Sequence, residues 1–142
     1  MTSLPQPADL ASLVLRTDFT DDAAWAAVMA AVDAEALDAT YVSDATYDGV
    51  SIQALVVADA AAEEDERVGY LFLADATTMR DEERPLLAVD LWNEPGRTFR
   101  VPARWYPDVS ANLSIGNMDF EEFAGAVGED GAYRGFGDED DQ

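Results

Sequence analysis

The feature that most constrains the fold is a pair of short apolar runs, residues 70–74 and 86–91, each with an aspartate at or near its end. They lie in a stretch, residues 69–101, that reads GYLFLAD, then TTMRDEER, then PLLAVDLWNEPGRTFRV; an Asn93-Glu94-Pro95-Gly96 turn leads from the second run into a third, residues 98–101. A strand with one wet face alternates apolar and polar residues, whereas a strand covered on both faces reads as a nearly unbroken apolar run. The stretch therefore predicts the middle of a sheet with helices on both sides and an antiparallel pair around the turn.

The rest of the chain supplies the covering elements. Residues 1–12 include Pro5 and Pro7, show little pattern and read as a flexible lead. Leu13, Val14 and Leu15 open a first strand that continues through Arg16 and Thr17 to Asp18. A helix follows, with Thr20 as its expected cap and Asp21 and Asp22 in the positive first turn; Trp25, Val28, Met29 and Val32 recur at helical spacing. It should fade near 34–38, ahead of a strand at 40–43 and a turn at 44–49. Residues 50–62 fit either element, since Ile52, Leu55, Val56 and Asp59 suit a helix while the β-branched residues suit a strand. Length, alanine content and Ser51 as a cap decide for helix. Residues 63–67 are an acidic loop kept wet by charge.

Beyond the central stretch, 102–107 carries Arg104, Trp105 and Tyr106 between two prolines, and 112–116 reads as a short extended piece or turn. A last helix starts at a hydrophobic staple and capping box formed by Met118, Asp119, Glu122 and Phe123. Phe120, Phe123, Ala124 and Val127 make its buried stripe, and Gly128 stops it. Residues 133–136 should pack back on the domain, and 137–142 form an acidic tail, disordered by default. The expectation is one α/β domain over 13–136: a mostly parallel or mixed sheet of about five strands with helices on both faces. A chain of 142 residues is long enough for one core, and a hydrophobic content of 49% excludes wholesale disorder.

Charge and missing residue types bound the chemistry. The chain carries 30 acidic and 8 basic residues, a formal net charge of −22, and every basic residue is an arginine. Such a surface repels nucleic acid and anionic membranes and attracts basic proteins, cationic ligands and divalent metals. With no histidine and no cysteine there is no Ser-His-Asp or Cys-His nucleophile and no His/Cys zinc site. Without lysine there is no Schiff base and no P-loop lysine. No apolar run approaches the ~20 residues of a membrane span, and the first residues lack an export signal, so a cytoplasmic protein is expected.

Three groups of residues are candidates for a site. If the first, third and fourth strands ran parallel, Asp18, Asp75 and Asp90 would share the carboxyl edge of the sheet, where open α/β folds bind ligands, and could hold Mg²⁺ or Ca²⁺ through oxygen. The plainer reading has Asp18 and Asp75 capping the segments that follow and Asp90 paired with an arginine. Arg16, Arg97 and Arg100 are expected in bidentate carboxylate pairs that hold the fold. Trp92, Glu94, Trp105 and Tyr106 are the candidate interface, because Trp and Tyr anchor interfaces and Trp92 stands beside an exposed turn.

On the strings LVLRTDFTDDAAW at 13–25, PLLAVDLWNEPGRTFRV at 85–101 and NLSIGNMDFEEFA at 112–124, the sequence resembles a family of uncharacterised actinobacterial proteins, over residues 13–136. The resemblance brings no activity and no site residue. It implies an intracellular bacterial setting and a GC-rich genome, rather than salt adaptation, as the origin of the lysine-free composition. The expected function is that of a non-enzymatic acidic binding domain of the immunity-protein, antitoxin or nucleic-acid-mimic kind. It would engage a basic protein, with no cofactor, as a monomer or homodimer. The alternatives are a metal-dependent enzyme or sensor using the strand-end carboxylates, and a self-associating structural module.

Overall fold

A computed structural model describes residues 4–7, 11–35, 39–116 and 118–135. Five strands form one mixed sheet in the order β2-β1-β3-β4-β5: β1 Ser12–Arg16, β2 Ala39–Val42, β3 Tyr70–Ala74, β4 Leu86–Asp90 and β5 Thr98–Val101. β1 runs parallel to both β2 and β3, whereas β3 with β4 and β4 with β5 are antiparallel. Two helices make the crossovers, α1 Asp22–Asp33 from β1 to β2 and α2 Ile52–Ala60 from β2 to β3. The chain moves outward across the sheet in the first crossover and back over β1 in the second. Right-handed crossovers then require the two helices to lie on opposite faces.

The core confirms this placement. Alternate strand residues Val14, Phe72, Ala88 and Phe99 pack with Trp25 and Val28 of α1 on one face. Their neighbours Leu13, Leu15, Leu71 and Val89 pack with Leu55 of α2 on the other. The first face is also covered by α3 Ala76–Arg80, α4 Tyr106–Ser114 and α5 Phe120–Ala124. Each such buried Leu, Val or Phe contributes about 1.5–3 kcal/mol, against ~0–1 for an exposed ion pair, so the core holds the fold and most of the surface charge is free of that task.

Several local expectations change. The cap of α1 is Asp21, whose Oδ1 accepts from the Ala24 N–H at 3.0 Å; Thr20 instead donates from its N–H and hydroxyl to Asp18. Residues 112–116 are not extended: α4 starts with a proline in its first turn, where the missing N–H costs nothing, and buries Tyr106, Val109 and Ser110. Gly116, at φ +71°, gives the left-handed residue beyond its last turn. α5 ends at Ala124, short of the expected Gly128. At the start of the chain Leu4 is buried in the second core and Ser12 already belongs to β1, so the expected lead meets the fold. The tail 137–142 and Phe136 lie outside the described residues.

Candidate functional site

The antiparallel fourth strand decides the fate of the three aspartates. Asp18 and Asp75 follow β1 and β3 at one end of the sheet, but Asp90 is paired in register with Tyr70, the first residue of β3. At ~3.3 Å per residue, the five residues from Tyr70 to Asp75 put roughly 16 Å between the levels of Asp90 and Asp75, whereas ligands of one Ca²⁺ each lie ~2.3–2.6 Å from it. The three-carboxylate metal site expected from strand ends is therefore not assembled, and among the described residues no group of three carboxylates is placed to hold a metal.

Each aspartate has a structural task instead. Asp18 accepts from the N–H and hydroxyl of Thr20, at 2.9 and 2.7 Å, and these bonds hold its carboxyl below the ordinary range. Asp75 caps α3 through Thr78 and takes a two-pronged bond from Arg100, both prongs at 2.9 Å. Burial pushes its carboxyl up, but the guanidinium of Arg100 and the Thr78 bonds outweigh burial and leave it below its usual value. Asp90 is not paired with arginine. Its buried carboxylate accepts from the backbone N–H groups of Trp92, Asn93 and Glu94, at 2.9, 3.2 and 2.9 Å, and so organises the turn.

The arginines divide by location. Arg100 makes the expected fork with Asp75, joined at the same end by Arg134, which bridges Glu83 and Asp130, each at 2.7 Å. Arg16 is buried and makes a single 2.8 Å bond to Asp22 rather than a fork, with Phe19 and Trp25 against its guanidinium. Arg97 reaches both oxygens of Glu94 from one nitrogen, at 2.9 and 3.1 Å.

At the other end of the sheet, the Asp90 turn presents Trp92 to solvent with 53% of its surface exposed. The ring is not loose. The Arg67 guanidinium stacks 4.5 Å from its centroid while donating to the Leu91 carbonyl at 3.3 Å. Arg67 is steadied in turn by Asp59, which is fully buried on α2 and accepts from the N–H groups of Val68 and Gly69 at 2.7 and 3.1 Å. Glu64, Asp65 and Glu66 form an exposed turn directly before Arg67, and Glu94 is exposed beside Trp92. Below Trp92 opens a pocket of about 210 Å³, with Tyr70, Leu113, Met118 and Phe120 among its walls and Asp90 and Asp119 as its acidic members.

The four candidate interface residues do not form one surface. Trp92 and Glu94 share the turn end. Trp105 follows β5 at the opposite end, half-buried and edge-on to Tyr133 at 5.9 Å. Tyr106 is fully buried in the first turn of α4 and packs on Phe72 at 5.1 Å, so it is core. Sequence reasoning missed Arg67 and Asp59 as the supports of Trp92. The signal was present: Asp59 falls four residues after Leu55 on the apolar stripe of α2, where a lone carboxylate must find donors.

The model of a family described as "Domain of unknown function (DUF6924)" matches residues 11–136. No curated protein matches the chain.

Proposed function

The chain belongs to the DUF6924 family of domains of unknown function, and from its charge and the geometry around Trp92 we propose that it is a non-enzymatic acidic interaction domain that binds a basic protein surface. The observation that carries this reading is Trp92, more than half exposed yet fixed in place by Asp90 beneath its backbone and Arg67 against its ring. A pre-ordered exposed tryptophan contributes binding area at little entropic cost, and tryptophan is among the residues that dominate interface energetics. Exposed Glu64, Asp65 and Glu66 directly precede the arginine that holds its ring, and they carry the sign of charge that steers a basic partner. Opposing a catalytic role are the missing histidine, cysteine and lysine. In this reading the domain acts in the cytoplasm of an actinobacterium as an immunity protein, antitoxin or nucleic-acid mimic.

Affinity capture from the source cell tests it, with the wild type and Trp92→Ala as parallel baits. At ~0.15 M salt the wild type is expected to retain a basic protein that is lost both in ~0.5 M salt and with the Trp92→Ala bait. Retention of a neutral or acidic partner, or retention indifferent to salt and to Trp92, would overturn the proposal.

A further inference from the structure

We infer that the pocket beneath Trp92 receives a single arginine side chain of the basic partner, an inference that rests on the interaction reading above. At about 210 Å³ the pocket lies below the ~300–1,000 Å³ of small-molecule and cofactor sites, which suits one inserted side chain. Its apolar walls, Leu113, Met118, Phe120 and the ring of Tyr70, match the aliphatic stem of a long cationic residue. Among the described residues its charged members are both acidic, Asp90 and Asp119, and none of its lining residues is an arginine. Asp90 is buried and occupied by three backbone N–H groups, whereas Asp119 is exposed and caps α5 by accepting, among the described residues, from the Glu122 N–H alone. Asp119 is therefore the carboxylate with capacity to meet the incoming guanidinium, while Trp92 in the lining offers a π-surface.

The opposite end of the sheet supplies the contrast. There a pocket of about 270 Å³ has Arg100 and Arg134 in its wall beside Asp81, Glu83 and Asp130, with Arg134 paired to Glu83 and Asp130. Among the described residues, the acidic notch at one end has guanidinium in its own wall and the notch at the other end has none. Arginine rather than lysine is the expected occupant, because a planar guanidinium both stacks on an indole and forks onto a carboxylate.

Hexa-arginine and hexalysine peptides separate this inference from its premise, because they carry the same charge. In calorimetric titrations the wild type is expected to bind hexa-arginine about tenfold more tightly than hexalysine, a difference of ~1.4 kcal/mol. Asp119→Asn, which keeps a helix-capping side chain, and Leu113→Trp, which fills the pocket, should each pull that ratio toward one. The Gly69 and Gly116 amides beside the pocket should shift with hexa-arginine in the wild type, a readout independent of whether either variant folds. Equal affinity for the two peptides, or shifts that avoid Gly69 and Gly116, would overturn the arginine pocket while leaving the acidic interaction surface standing. Failure of both peptides to bind would overturn both.

Discussion

Asp75 and Asp90 look alike in the sequence, each at the close of an apolar strand, yet the fold sends them to opposite ends of the sheet and gives them opposite partners. Asp75 meets a guanidinium and a helix start; Asp90 meets three backbone N–H groups of a turn. At the Asp75 end, Arg100 and Arg134 are held by the chain's own carboxylates, and charge is spent on tying β5 and the residues after it to β3 and the α3 loop. At the Asp90 end the carboxylate holds backbone, and an aromatic ring and exposed glutamates are left to face solvent. Arginine pairs with carboxylate at both ends, as Arg67 with Asp59 and Arg97 with Glu94 beside Trp92. Among the described residues, however, of the two pockets only the one at the Asp75 end has arginine in its lining, and on the proposed reading the Trp92 end is the interactive one.

The comparison breaks most visibly at Asp90. Replacing it with alanine strands three N–H groups around a nearly buried position, and a loss of about 3 kcal/mol is expected, since each bond to a charged acceptor is worth ~1.5–3 and water regains part of it. Urea unfolding measures this; a loss below ~1 kcal/mol would mean that the turn holds itself.

Asp75 comes next, at about 2 kcal/mol for Asp75→Ala, of which ~1 is the helix cap and the remainder the half-exposed fork to Arg100. Its pH dependence has a definite sign. A carboxyl held below its ordinary value in the fold stabilises above pH ~4 and loses that stabilisation as pH falls through the folded-state value. The stability gap between wild type and Asp75→Asn should therefore narrow between pH ~5 and ~2. A gap that stays constant over that range would show that the Arg100 fork does not depend on the charge of Asp75.

The fold was legible where one principle acted alone. Apolar runs placed β1, β3, β4 and β5, Ser51 marked the start of α2, and the Asn93-Glu94-Pro95-Gly96 turn required β4 and β5 to be antiparallel. Strand direction between β3 and β4 was not legible. The segment joining them, with its short α3, suits either direction, and assuming a parallel pair gathered Asp18, Asp75 and Asp90 into a site that the fold takes apart. α4 was missed, its end at 112–116 being read as a short extended piece or turn, although Pro107 suits the first turn of a helix and the spacing of Tyr106, Val109, Ser110 and Leu113 carried the signal. Of the candidate interface, the exposure of Trp92 could be read from its neighbours in sequence. Asp59 was readable as a lone carboxylate on an apolar stripe, but its link through Arg67 to the Trp92 ring depends on contacts between distant residues and was not.

A smaller effect sharpens the contrast from the metal side. Millimolar Mg²⁺ or Ca²⁺ should raise the melting midpoint only as counterions to a chain of net charge −22, so Asp18→Asn should show the same rise as the wild type. Loss of the rise in Asp18→Asn would restore a specific metal site at the Asp75 end.

Backbone amide shift mapping with a basic ligand compares the two ends in one measurement. With hexa-arginine added at ~0.15 M salt, where screening confines strong effects to ~8 Å, the largest changes are expected at Gly69, Asn93, Gly96 and Gly116 around Trp92, with Thr77, Arg100 and Ala132 nearly unmoved. Changes centred on Thr77, Arg100 and Ala132, or spread evenly over the acidic surface, would contradict the assignment of the Trp92 end as the interactive end.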